Sequence, residues 1–303
     1  MNNTKNTHLG DGMFEWLEKK SLNSFPLDGM PLFNKANSGG IVEGSLNVVV
    51  AKSGFGKTNY LVDLCNKLID TTNQRTRKAK ILFFTCELSK DKLIERFIAS
   101  YLNLPFTAIG KMKQNPKMAE QLQKAIQNYC ENYDIIISDK TDIEDIVSDS
   151  LYEQHNDNCN IVIIDHIMEL TTQKKFKDST DRFEYICDSL KILYGDNNLA
   201  VIVAAQFRKA SKAIDDFGGR GMDDVFGGAM LRSRASLIIY LYCNEKEDKE
   251  NRFAMHQGLN ETTTCHLKFL KARDGVDGFT TKMFYNRPYC QFKEVFNQGY
   301  VKD

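Results

Sequence analysis

Residues 51–58 read Ala51-Lys52-Ser53-Gly54-Phe55-Gly56-Lys57-Thr58 and directly follow the apolar run Leu46-Asn47-Val48-Val49-Val50. Glycines in a strand-to-helix turn let backbone amides close around a phosphate, while Lys57 can reach the terminal phosphates and the Thr58 hydroxyl can reach Mg²⁺. Tyr60, Leu61, Leu64 and Leu68 then keep helical spacing. Strand, loop and helix in this order indicate a nucleotide site, with ATP and Mg²⁺ as the expected ligands. The motif usually opens on glycine, so Ala51 is its one irregular letter.

Three further polar residues close apolar runs. Asp165 ends Ile161-Val162-Ile163-Ile164 and would lie at the carboxyl edge of a parallel sheet, where such folds hold ligands. It is the natural Walker B carboxylate, sharing the metal with Thr58; the alternative is a cap for the segment that follows. Glu87, two residues beyond the run at 81–85, is the candidate base for an attacking water, the alternative being a cap for a helix near Ser89. Gln206 closes Ala200-Val201-Ile202-Val203-Ala204-Ala205 and could sense the γ-phosphate through its amide, or simply be a polar strand end.

Basic loops follow the same strand ends. Arg208, Lys209 and Lys212, then Arg220 among glycines, come after Gln206; Lys174, Lys175 and Lys177 come after Asp165. Such loops suit a phosphodiester chain, single-stranded DNA in this reading, although loops are also charged for solvation alone. Lys271 and Arg273 sit two apart between C-terminal strands and would share a face in extended backbone. They could reach a neighbouring subunit's γ-phosphate as an arginine finger, or be ordinary surface charge.

These residues need a scaffold. Apolar runs at 81–85, 135–137, 161–164 and 200–205 alternate with helical patterns at 90–101, 118–129, 143–152 and 181–194. That alternation specifies an α/β fold with a mostly parallel sheet and helices on both faces. Strands at 237–242, 266–270 and 279–285, joined by loops or tight turns, add an antiparallel C-terminal extension. The 303 residues fit one large domain over 27–303, preceded by a polar extension over 1–26 in which Met13-Phe14-Glu15-Trp16-Leu17 suggests a short amphipathic helix, packed on its own domain or on a neighbour. Lys+Arg and Asp+Glu both total 40, so net charge neither indicates nor excludes a nucleic-acid partner. Eight scattered cysteines and the absence of a long apolar run point to a reduced, cytoplasmic protein without a membrane segment.

Taken in order, Gly40-Ile41-Val42-Glu43-Gly44-Ser45-Leu46-Asn47, the phosphate loop, Phe84-Thr85-Cys86-Glu87-Leu88-Ser89, Ile163-Ile164-Asp165-His166, Ala204-Ala205-Gln206 and Lys271-Ala272-Arg273-Asp274-Gly275 resemble the RecA-like P-loop NTPase motor of DnaB-type hexameric replicative helicases, compact bacteriophage ones in particular. In that family the loop often begins with alanine. The resemblance implies an ATP-dependent DNA helicase moving 5′–3′ on single-stranded DNA, with Glu87 as catalytic glutamate, Asp165 as Walker B aspartate, Gln206 as sensor, and Lys271 and Arg273 acting on an adjacent subunit's γ-phosphate. It also implies a homo-oligomeric ring or spiral, a primase or helicase loader as partner, and a bacterial or phage-infected cytoplasm. The family's linker helix maps onto residues 12–20, where it would dock on the next subunit. With no collar domain ahead of the motor, ring formation is expected to lean on DNA, nucleotide or another protein. His166 departs from the aromatic residue common after the Walker B aspartate. A RecA-like recombinase filament and a KaiC-like regulatory ATPase are the competing readings.

Overall fold

The computed structural model describes residue 13 and residues 23–73, 78–208, 221–244, 246–247, 249–250 and 262–295. Apart from Met13, the expected helix at 12–20 lies outside these residues, as do Lys209, Lys212 and Arg220. In chain order the elements are β1 (Ser24–Phe25), α1 (Pro31–Ala36), β2 (Ile41–Val42), β3 (Leu46–Ala51), α2 (Lys57–Thr72), β4 (Ile81–Thr85), α3 (Lys90–Leu102), α4 (Phe106–Gln114), α5 (Pro116–Asn132), β5 (Ile135–Ser138), α6 (Ile143–Asp157), β6 (Ile161–Asp165), α7 (Ser179–Lys191), β7 (Ala200–Ala205), α8 (Gly228–Arg234), β8 (Leu237–Tyr242), β9 (Thr262–Ala272), β10 (Thr280–Asn286) and β11 (Gln291–Glu294).

The apolar runs become the centre of a nine-stranded sheet ordered β11-β10-β9-β8-β3-β7-β6-β4-β5. Strands β8, β3, β7, β6, β4 and β5 run parallel, and β9 and β10 extend the sheet antiparallel as expected from the sequence, whereas β8, expected in that extension, pairs parallel with β3 and a further antiparallel strand, β11, closes the edge. Alternate side chains of β3 enter two cores. Val49 and Ala51 face α2 and α3, while Leu46, Val48 and Val50 face α6, α7 and α8. Burial on both faces explains why these strands read as unbroken apolar runs. Phe83 of β4 is fully buried and meets Phe97 of α3 edge to face at 6.0 Å. Truncating a side chain of this kind costs about 3–5 kcal/mol.

Helix starts follow local chemistry more than apolar spacing. Asn115 accepts from the amides of Lys117 and Met118, so α5 begins at Pro116 and not at 118. Asp178 likewise caps Thr180 and Asp181 and starts α7 at Ser179, earlier than 181. Helix α4, which apolar spacing does not announce, packs Ile109 and Met112 with Ile98, Ala99 and Leu122 in a separate small cluster.

Two anchors join the C-terminal strands to the front of the fold. The Glu294 carboxylate accepts from the amides of Leu32 (2.8 Å) and Phe33 (3.2 Å), satisfying donors at the start of α1. Asp63 of α2 accepts from the Phe292 amide at 3.2 Å and pairs with Lys67 at 3.3 Å. Burial pushes the Asp63 carboxyl up to about 6, against the pull of Lys67. Because the folded state holds this proton more tightly than the unfolded chain, the group stabilises below the ordinary carboxylate range. That contribution is lost as pH rises through about 6. Asp63→Asn, a neutral mimic that still accepts from Phe292, should therefore raise the melting temperature relative to wild type more at about pH 7.5 than at about pH 5, by on the order of 3 °C. An equal change at both pH values in thermal melts would exclude an ionised, strained Asp63.

Candidate nucleotide site

The loop between β3 and α2 turns on Gly54 and Gly56, whose φ angles of 73° and 117° lie where side chains fit poorly. Gly56 is followed at once by the first turn of α2, so unpaired helix amides face the loop. Ala51 is buried at the end of β3; Lys52, Ser53 and Gly54 are exposed, and Phe55 and Gly56 are half-buried. Lys57 is only 7% exposed. Its amine is pulled down by burial, opposed by the charges of Asp165 and Glu87.

Asp165 is 1% exposed at the end of β6. Burial raises its carboxyl, while the hydrogen bond from Thr58 and the nearby His166 and Lys57 lower it. The Thr58 hydroxyl donates to Asp165 Oδ2 at 2.5 Å, and Oδ1 is buried without a partner among the described residues. A buried hydroxyl and carboxylate with one oxygen unsatisfied fit a hydrated Mg²⁺, which Thr58 and Asp165 would hold. The amide of Cys86 donates to the Asp165 carbonyl at 2.8 Å, and Thr85 Oγ1 donates to the Leu88 carbonyl at 2.7 Å. These bonds place Glu87 immediately beyond β4 on the same edge, half exposed.

Gln206 follows β7, which lies between β3 and β6. The phosphate loop, Gln206, Asp165 and Glu87 thus leave four consecutive parallel strands at their carboxyl ends. Between the last three lies His166, a residue given no role by the sequence. Its Nε2 is 2.9 Å from Gln206 Nε2 and 3.3 Å from Glu87 Oε2. A titratable residue directly after a strand-end carboxylate was the available signal.

The basic residues divide. Lys174, Lys175 and Lys177 are exposed after β6, with Lys174 Nζ 4.2 Å above the Tyr185 ring. Arg208 is exposed after β7, its amide bonded to the Asp224 carbonyl. Lys271 and Arg273 are not at the phosphate loop of their own chain. Strand β9 runs from Thr262 to Ala272, so Lys271 is inside a strand and not in the connecting tip. Ala272 pairs with Leu237, and Leu237 pairs with Asn47 near the start of β3. At about 3.3 Å per residue, this puts the pair roughly 13 Å or more from the loop, at the opposite sheet edge. A bulge also intervenes, since Ile238 pairs with Lys271 but Ile239 pairs with Phe269. The extra residue, Leu270, resets the alternation. Lys271 therefore leaves the face of buried Phe269 and donates to the Arg232 carbonyl of α8, while Arg273 donates to the Ser233 carbonyl.

The sequence also gave no hint of the brace behind the loop. Arg287 Nη1 donates to the Gly54 carbonyl at 3.1 Å. Tyr285 stacks on Phe292 at 4.1 Å, and its hydroxyl accepts from Asn59 of α2 at 2.8 Å. Asn59 in turn accepts from Arg96 at 3.0 Å. A Cβ on Gly56 would run into the Tyr285 hydroxyl. Strain at this position of about 1–3 kcal/mol, relieved only by giving up the turn that binds phosphate, converts to roughly five- to 150-fold in affinity. Gly56→Ala should weaken binding of a fluorescent ATP analogue by that factor; unchanged affinity by titration would separate Gly56 from the phosphate-facing backbone.

Known proteins share this fold. The model of the DnaB-like helicase C terminal domain matches residues 29–294. The "Replicative DNA helicase DnaB" of Mycoplasma pneumoniae is 24% identical over 265 residues, covering 84% of this chain and 52% of that protein. The chain thus spans about half the length of this curated relative. Among solved structures, the "ATPase Domain of G40P" superposes with a TM-score of 0.76 at 19% identity, covering 96% of this chain and all of that one. A DnaB-like replicative helicase described with its interactions with primase gives 0.74 at 20% identity, covering 93% of this chain and 66% of that one. The fold is RecA-like, and the match over residues 29–294 shows that the chain belongs to the DnaB-like helicase C-terminal domain family.

Proposed function

We propose that this chain is an ATP-dependent DNA helicase motor whose active sites form between subunits. The observation that carries the reading is the division of the site across the sheet. Lys57, Thr58, Asp165, Glu87 and Gln206 gather at one edge, while Lys271 and Arg273 lie at the other. In this reading, Ala51, Lys52, Ser53, Gly54, Phe55, Gly56, Lys57 and Thr58 hold the ATP phosphates. Mg²⁺, when bound, supplies charge neutralisation on the phosphate oxygens. Glu87 takes the proton of the attacking water, and its half-exposed position leaves room for that water. A γ-phosphate carries its charge on outward oxygens that the loop cannot surround. The adjacent subunit's Lys271 and Arg273 complete that neutralisation in a hexameric ring or spiral.

Lys174, Lys175, Lys177 and Arg208 are exposed beside the carboxyl edge and contact single-stranded DNA in this reading; Lys209, Lys212 and Arg220, outside the described residues, take the same role from their place in the sequence. Because Arg208 is two residues from Gln206, a change at the γ-phosphate has a short path to DNA. Movement in the 5′–3′ direction, a primase or loader partner and a cytoplasmic setting complete the proposal, with family membership as their support. Single-stranded DNA should raise ATP turnover several-fold, and the protein should unwind a forked duplex. Glu87→Gln should keep nucleotide affinity and lose at least about a hundredfold in turnover. A DNA-indifferent ATPase without unwinding in the assembled state would refute the helicase reading, and normal turnover by Glu87→Gln would remove Glu87 as the base.

The subunit-interface assignment has a separate test. Arg273→Ala subunits titrated into wild type should depress turnover more steeply than dilution alone, because each variant disables a neighbour's intact phosphate loop. Activity falling only in proportion to the variant fraction would place Arg273 outside the neighbour's site.

A further inference from the structure

We infer that His166 is a positioning residue that couples the sensor Gln206 to the base Glu87 by sharing one N–H between them. The inference rests on the roles just proposed for those two residues. The His166 ring is 2% exposed, held by Ile167, which is 1% exposed in the core, and by the Glu169 amide bonded to the His166 carbonyl at 3.1 Å. Its Nδ1 is buried and has no partner among the described residues. An orphaned acceptor lone pair is less costly there than an orphaned N–H, so the geometry favours the tautomer that carries its N–H on Nε2.

That single donor has two acceptors. Glu87 Oε2 is 3.3 Å away. The Gln206 amide, at 2.9 Å, presents its oxygen by a half-turn of the carboxamide. Glu169 is farther, at 4.0 Å. One N–H cannot serve both near acceptors well, and the bond to one weakens the bond to the other. Gln206 cannot move alone: its carbonyl accepts from the Phe226 amide at 2.9 Å, Phe207 bridges to Val225, and the Arg208 amide donates to the Asp224 carbonyl at 2.8 Å. A shift of this segment that draws Gln206 toward phosphate or DNA releases the His166 N–H to Glu87. The Glu87 carboxylate, 53% exposed and otherwise able to swing in solvent, is then fixed for its water. No bond is made or broken in this step; one hydrogen bond replaces another.

The test uses the full-length chain with single-stranded DNA. His166→Phe fills the ring's space without a donor and should bind a fluorescent ATP analogue within about twofold of wild type, while DNA-stimulated kcat falls about tenfold or more. His166→Gln restores an N–H at similar reach and should recover at least about half of that loss on a logarithmic scale. Gln206→Ala should cost less in the His166→Phe background than in wild type, as expected for residues on one path. Wild-type turnover by His166→Phe, no recovery by His166→Gln, or strict additivity with Gln206→Ala would each overturn the inference. If His166→Phe melts at a lower temperature, His166→Met, equally donorless and more adaptable in shape, takes its place in the same comparisons. Glu87→Gln separates the two levels: normal turnover there removes the base itself, whereas an inactive Glu87→Gln beside an unaffected His166→Phe removes only the coupling.

Discussion

Lys57 and Asp165 are opposite charges withdrawn from water into one corner of the sheet, 7% and 1% exposed. Burial pushes Lys57 toward the neutral amine and Asp165 toward the neutral acid, and the field of each opposes the shift of the other. A buried charge is tolerated only where opposite charge and hydrogen bonds replace its lost hydration. The Thr58 hydroxyl supplies one such bond to Asp165. The rest of the architecture serves this arrangement. Parallel strands β3 and β6 must end level with each other, which requires β7 between them in fixed register. The turn carrying Lys57 must not spring outward, and Arg287 and Tyr285 hold it from behind.

That brace joins the ends of the sequence. Asn59 and Asp63 of α2 bind the Tyr285 hydroxyl and the Phe292 amide, while Glu294 binds the start of α1. The antiparallel strands therefore do more than widen the sheet. They present one end to the phosphate loop and, through β9, carry two cations to the opposite edge.

Much of this could be read from the chain because central parallel strands have no choice of composition. Residues 46–50, 81–85, 161–164 and 200–205 are covered on both faces, so their apolar character is continuous and their polar successors, Glu87, Asp165 and Gln206, stand out. Features set by distant partners were not legible. Tyr285 looks like any strand aromatic until Gly56 is seen against it. The short helices α1, α4 and α8 and the strand β11 are too brief for periodicity to mark. The letters of Lys271 and Arg273 suggest a connecting tip, because bulges leave no compositional trace; β9 instead continues to Ala272. The face that Lys271 occupies depends on Leu270 being unpaired, which only the partner strand reveals.

The bulge at Leu270 makes pairing as significant as residue identity in this strand. Deleting Leu270 would restore uninterrupted alternation and leave Lys271 opposite Phe269, with Ala272 still on the core side. Pairing Leu270 regularly at unchanged length would instead turn Lys271 to the side of Phe269, inside the core beneath α2. In a comparison of related chains, a one-residue gap between Phe269 and Lys271 therefore leaves the cations on their side, while an ungapped chain that lacks the bulge keeps the same letters and loses their geometry.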